Sequence, residues 1–172
     1  MDPNVADRLW RSSCGRYTVE ADAGCLARLS DIARRAWPCE IGASLVGTYS
    51  DDGFTARIED SGPVPSDSKR GRMTFVRGVA GLRDYFRNIY LRSSGKRHYV
   101  GEWHSHPGGS AFPSGTDDAA LQDICRDRKT GCPETVLLLV AVAKDGNTEF
   151  GVLVYSRDRG RIELHERKTE ER

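Results

Sequence analysis

Two histidines stand two apart in the run Trp103-His104-Ser105-His106-Pro107, and Ser114-Gly115-Thr116-Asp117 follows shortly after. On an extended strand, residues two apart point to the same face, so both imidazoles look one way. Two histidines cannot close a metal site alone. Asp117 is the natural third ligand, because a strand–loop–helix connection would bring the chain back over the strand end. His, His and Asp with one position left for water is the pattern of a catalytic zinc site, not a closed structural one. Ser114 would sit beside the open position. The same stretch has a second reading: Ser114-x-x-Asp117 ahead of Ala120, Leu121 and Ile124 is a capping box opening a helix. Capping and ligation are compatible at one helix end.

His104-Ser105-His106-Pro107, six residues, Ser114, two residues and Asp117 resemble the JAMM (JAB, MPN-plus) metalloprotease motif in type and spacing. That family also carries a glutamate at the start of an upstream strand, in a Glu-x-Gly-x-x-Leu-x-Gly stretch. Glu40-Ile41-Gly42-Ala43-Ser44-Leu45-Val46-Gly47 matches it. The resemblance spans roughly positions 40 to 155. It implies the MPN (JAB) fold: an α/β architecture akin to cytidine deaminases, with a mixed, mostly antiparallel sheet flanked by helices. It also implies one zinc ion per chain on His104, His106 and Asp117, with Glu40 as general base and Ser114 as a donor to the oxyanion. Those roles describe amide or isopeptide hydrolysis.

Within the family, Tyr99-Val100-Gly101-Glu102-Trp103 running into His104 looks most like the bacterial stand-alone JAB domains. These occur with ubiquitin-activating-like and ubiquitin-conjugating-like partners, often in anti-phage operons such as CBASS. The implied task is deubiquitinase-like: cleavage after the C-terminal glycine of a ubiquitin-like protein or its conjugate. Alternatives are a JAB hydrolase of a sulfur-carrier conjugate and a RadC-like protein associated with DNA repair. A non-catalytic scaffold of the same fold would lack one or more motif residues, and this chain keeps all five.

Three rivals for the chemistry are weaker. By strand alternation Val100, Glu102, His104 and His106 share one face, and Tyr99, Gly101 and Trp103 the other. Glu102 therefore competes with Glu40 as the base, with support of the site, substrate contact or a solvated position as its other readings. Cys39 lies beside Glu40 but has no local histidine to activate it. Zinc deamination needs His-x-Glu and Pro-Cys-x-x-Cys; here Gly42 replaces the second cysteine.

The rest of the chain must hold these residues in place. At 172 residues with a formal net charge of +1 it is one domain with room for a core, and no global field draws it to nucleic acid. Met1-Asp2-Pro3-Asn4 does not resemble a signal peptide, and the longest apolar run, Val136 to Ala143, is too short to span a bilayer. A soluble, cytoplasmic protein is expected. The five cysteines, 14, 25, 39, 125 and 132, form no Cys-x-x-Cys pair and read as reduced thiols.

Residues 1–15 read as an irregular arm, 16–165 as the domain and 166–172 as a charged tail. Strands are expected at 16–20, 41–49, 54–59, 98–106, 135–142 and 149–155, with an edge strand at 161–165. Helices are expected from Asp22 to Trp37, through Val79, Leu82, Phe86 and Ile89, and from Asp117 to about Asp127. The polar stretch 60–72 reads as a long, solvated loop; the family resemblance implies instead that it flanks the cleft and helps hold substrate.

Overall fold

A computed structural model of the protein describes residues 7–167. In chain order its elements are β1 (Arg8–Ser12), β2 (Thr18–Ala21), α1 (Ala23–Ala36), β3 (Gly42–Tyr49), β4 (Thr55–Ser61), β5 (Lys69–Arg70), β6 (Phe75–Val76), α2 (Leu82–Arg92), β7 (His98–Pro107), α3 (Gly115–Arg126), β8 (Glu134–Val142), β9 (Thr148–Ser156) and β10 (Gly160–Arg167). Eight strands close into a barrel in the order β1-β10-β9-β8-β7-β3-β4-β2, and β5 and β6 form a separate hairpin. Neighbours are antiparallel except β2–β4 and β7–β8. The mixed, mostly antiparallel α/β character is as expected, but the closure is not.

Closure comes from the segment read as an irregular arm. β1 pairs β10 on one side and β2 on the other. Its two buried positions, Trp10 and Ser12, are two apart as a strand requires, but one is polar, so the alternation is faint in the sequence. β10 is consequently not an edge strand, and it runs to Arg167, two residues into the expected tail. Residues 1–6 of the arm and 168–172 of the tail lie outside the described residues.

β8 shows why the barrel needs cover on both faces. Val136, Leu138, Val140 and Val142 join the main core with Cys25, Leu26, Leu29 and Ala33 of α1. Leu137 and Leu139 point the other way and pack with Leu121 and Cys125 of α3 and with Leu153 and Tyr155 of β9. The apolar run is thus a central strand buried on both sides, as its composition requires. All five cysteines are free thiols. Among the described residues no helix is long and apolar enough to cross a membrane.

β7 departs from simple alternation. Leu45 of β3 faces Gly101 and Val46 faces Tyr99, which leaves Val100 as an extra, bulged residue. A Cβ at Gly101 would stand 2.0 Å from the Val136 carbonyl oxygen, so only glycine fits there. The bulge switches the faces. Val100 and Trp103 both lie in the main core, whereas the Tyr99 hydroxyl donates to Glu102 Oε1 at 2.8 Å. The expected grouping of Val100 with Glu102 is therefore incorrect; that of Glu102 with His104 and His106 holds.

The stretch 60–72 is not a loop throughout. β4 extends to Ser61, and Lys69–Arg70 pairs with Phe75–Val76. α2 begins at Leu82, leaving Val79 outside the helix and exposed.

Candidate metal centre

β7 delivers His104 and His106, and α3 delivers Asp117. Gly42 pairs with His104 on one flank of β7 and Leu139 on the other, so the strand end carrying the histidines is held from both sides. α3 starts where the capping box places it. Ser114 Oγ accepts from the Asp117 N–H at 3.3 Å, and Asp117 Oδ2 accepts from the Ser114 N–H at 2.7 Å. One residue on, Asp118 accepts from the Tyr155 hydroxyl and from Arg161 Nη1 at 2.8 Å, which ties the helix start to β9 and β10.

The result is a tight convergence. The Nε2 atoms of His104 and His106 are 3.1 Å apart. Asp117 Oδ1 lies 3.2 Å from the first and Oδ2 3.6 Å from the second. All three ligand atoms fall within 4.8 Å of one another. His106 Nδ1 is 2.9 Å from the Ser110 carbonyl oxygen, which can only accept, so Nδ1 carries a proton and Nε2 presents its lone pair inward in the neutral ring. Two ring nitrogens this close repel unless a proton or a cation lies between them. The donor set fits a divalent metal with nitrogen and oxygen preference.

Electrostatics agree with the geometry. Burial works to raise the Asp117 carboxyl, but hydrogen bonds from His104, His106 and Ser114 hold it well below the usual carboxylate range. The hydrogen bond to Asp117 raises His106 above its ordinary value despite partial burial. A proton held between imidazole and carboxylate can occupy the place of a cation.

Glu40 precedes β3. Its backbone is pinned on both sides: its N–H donates to the Gly71 carbonyl at 2.8 Å and its carbonyl accepts from Arg70 Nε at 3.1 Å. The next residue, Ile41, exchanges bonds with Ser105 of β7, donating its N–H to Oγ at 3.1 Å and accepting from the Ser105 N–H at 2.8 Å. Burial raises the Glu40 carboxyl, the His104 and His106 charges lower it, and Asp117 raises it again. All three residues of the candidate triad thus act on the charge of this carboxyl. His104, His106, Asp117 and Ser114 come together, and Glu40 is anchored alongside through its neighbour Ile41, which bonds Ser105 between the two histidines.

Residues 22–154 match the family described as prokaryotic homologs of the JAB domain. The chain belongs to that family. A relative described as a CD-NTase/cGAS isopeptidase, from Enterobacter hormaechei subsp. hoffmannii (strain UCI 50), is 33% identical over 163 residues, covering 95% of this chain and 89% of the relative. Among solved structures, the solution structure of a Desulfitobacterium hafniense protein matches with a TM-score of 0.55 at 20% identity, covering 86% of this chain and 88% of the other. That likeness concerns the fold alone.

Glu102 is engaged with partners of its own. It is buried, not solvated, and its carboxylate meets Arg77 Nε at 2.7 Å, the Tyr99 hydroxyl, and the Ser44 hydroxyl at 3.4 Å. Cys39 donates its backbone N–H to the Ala36 carbonyl at the end of α1. His98 stacks on Tyr49, centroids 5.7 Å apart, beside a cleft of about 500 Å³ at the other end of β7. None of the five motif residues lines that cleft.

Two contributors have no signal in the sequence. The β5–β6 hairpin holds the Glu40 backbone, and Arg77 neutralises Glu102. A run of arginines in a polar loop carries no periodicity, so neither role is legible there. Gly42 belongs to the motif by type, and the structure supplies the physical reason. A Cβ there would lie 2.3 Å from the Trp103 carbonyl oxygen and 2.7 Å from His104 Cβ.

Proposed function

We propose that this chain is a zinc-dependent isopeptidase that removes one protein from another, with a CD-NTase or cGAS-like protein as a member of the conjugate. The observation that carries this reading is the convergence of His104, His106 and Asp117, with Glu40 anchored beside it through the hairpin and the Ile41–Ser105 bonds. Family membership and the Enterobacter relative's description supply the reaction class. Bound zinc would supply a Lewis acid for the scissile carbonyl and would lower the pKa of a water to about 7.

The chain's own residues do the rest. Glu40 takes the proton of the attacking water and returns it to the leaving lysine amine, without which the amide bond does not break. Its burial suits this, since a raised carboxyl is a stronger base toward water than an ordinary surface glutamate. Ser114 Oγ donates to Asp117 Oδ2 at 2.7 Å. With that carboxylate engaged on a cation, the hydroxyl is available to the developing oxyanion. A ubiquitin-like tail would enter extended, as an added strand. The expected setting is a conjugation operon with activating-like and conjugating-like enzymes, acting in anti-phage defence.

The test is to incubate zinc-loaded protein with CD-NTase conjugates and with fusions of ubiquitin-like proteins from the same genome. Cleavage at the joining carboxyl by the wild type, and none by Glu40→Gln, is expected. If the zinc-loaded wild type leaves every such conjugate intact, the reading is wrong.

A further inference from the structure

The formal charge of +1 conceals a strong asymmetry. Nine of the 26 basic residues and one of the 25 acidic ones fall between positions 69 and 97, so that stretch is +8 and the remainder −7. It comprises the β5–β6 hairpin, the strap to α2, and α2 itself. Arg77 pairs with Glu102 and Arg97 with Glu59, each at 2.7 Å. Lys69, Arg70 and Arg72 on the hairpin, and Arg83, Arg87 and Arg92 on the helix, are exposed and form no ion pair among the described residues.

The hairpin cations stand beside the metal centre, and the α2 cations follow along the same strand, β7. Arg77 fastens the strap to Glu102, and Phe86 of α2 packs edge-on against Tyr99, centroids 5.7 Å apart. Tyr99 and Glu102 share a hydrogen bond on the face of β7 that carries His104. The hairpin also holds Glu40. On α2, Leu82, Tyr85, Phe86 and Ile89 turn inward at helical spacing, so Arg83, Asp84, Arg87, Asn88 and Leu91 face outward, with Asp84 the one acid among them. Large apolar side chains stand among the charges: Met73 is 86% exposed, Val79 71% and Leu91 64%.

We propose that the hairpin and the outer face of α2 dock an acidic protein surface, that of the CD-NTase in the conjugate; this rests on the isopeptidase reading above. Six cations without acidic partners repel one another and are relieved by a surface of opposite sign. The interleaved Met73, Val79 and Leu91 favour a protein over a nucleic acid, because apolar anchors are buried by side chains and not by a phosphate backbone. Placed against the hairpin that holds Glu40, such a surface would deliver the joined carboxyl to the metal centre.

The test measures binding of the CD-NTase from the same genome, unconjugated, to wild-type protein and to the Arg83→Glu/Arg87→Glu/Arg92→Glu variant. A short DNA duplex is the competitor, and each titration is run at low and high salt. The three arginines are exposed and outside the metal site, so folding and hydrolysis of a short peptide spanning the joined residues stay as in the wild type. Affinity for the CD-NTase is expected to fall at least about tenfold in the variant, the scale at which steering charges act, and to lose its salt dependence. Equal binding by wild type and variant, no binding by either, or tighter binding of the duplex overturns the proposal. These readouts need no cleavage. A protein that binds in this way yet cuts nothing would leave the docking surface standing and remove the isopeptidase reading.

Discussion

Arg77 Nε lies 2.7 Å from Glu102 Oε2, and the pair joins the strap before α2 to the strand that carries both histidines. Burial raises the Glu102 carboxyl, while Arg77 and the Tyr99 and Ser44 hydroxyls lower it. With Oε2 paired to the Arg77 guanidinium and Oε1 accepting from two hydroxyls, this carboxylate is a poorer base toward water than one without such partners. Glu102→Gln should therefore keep substantial cleavage activity. Its cost should appear in stability, roughly 1–3 kcal/mol for a buried donor left without its charged acceptor, read as a lower denaturant midpoint. A dead but well-folded Glu102→Gln beside an active Glu40→Gln would reverse the two assignments.

Glu40→Gln should abolish cleavage and retain the metal. The Glu40 contacts that fix its place are main-chain ones, to Gly71 and Arg70, and an amide side chain leaves them intact. The variant should bind zinc stoichiometrically and still bind the conjugate. Loss of zinc on buffer exchange would move Glu40 from proton carrier to ligand.

The candidate triad of His104, His106 and Asp117 and the Ser114 cap are legible because short-range rules set them, whereas Glu40 is legible only through the family resemblance. Residues two apart on a strand share a face, and a Ser-x-x-Asp box opens a helix at a fixed residue. Where sequence and structure part, the determining contact is long-range. β1 is a strand because β10 and β2 flank it, and nothing local in Arg8–Ser12 says so. The face of Val100 depends on how β7 meets β3 and β8, a bulge permitted by Gly101. The Arg77–Glu102 pair joins residues on separate elements whose types alone favour solvent. Charge asymmetry is legible as a count but hidden by the near-zero total.

Asp117→Asn should weaken zinc binding and change its pH dependence. Metal binding requires neutral imidazoles, so zinc competes with the proton on His106. Asp117 raises His106 above its ordinary value of about 6.5. A raised value means the proton is still held at higher pH, so wild-type affinity should begin to fall, as pH decreases, while still above that value. In the Asp117→Asn variant the neutral amide no longer holds the proton, and the fall should set in at lower pH, on an affinity already reduced. Calorimetric zinc titration across this range reads both effects. An unchanged profile would mean that Asp117 neither ligates nor tunes the histidine.

Ser114→Ala separates capping from catalysis. The hydroxyl accepts from the Asp117 N–H and donates to its carboxylate. Loss of the cap should cost about 1 kcal/mol of stability. Loss of an oxyanion donor should slow turnover by roughly 10²–10³ at saturating substrate. A variant with full kcat in its folded fraction would leave Ser114 a cap and nothing more.

Gly42→Ala tests how the scaffold holds the histidine. The added Cβ would lie 2.3 Å from the Trp103 carbonyl oxygen, 2.7 Å from His104 Cβ and 2.9 Å from Phe75 Cε1. Phe75 belongs to the short β5–β6 hairpin and can give way. The Trp103 carbonyl is backbone in the middle of β7 and cannot move alone, because β7 is paired on its other side with β8. The strain must fall on the pairing of β3 with β7, at the position where Gly42 faces His104. Overpacking of this kind costs typically about 1–3 kcal/mol, and here it acts on a metal ligand and, two residues upstream, on Glu40. The variant should fold less stably, bind zinc more weakly, and lose more activity than its zinc occupancy explains, since Glu40 shifts as well. Activity that tracks occupancy one to one would show that Gly42 serves His104 alone; wild-type stability would show that β3 has slack at this position.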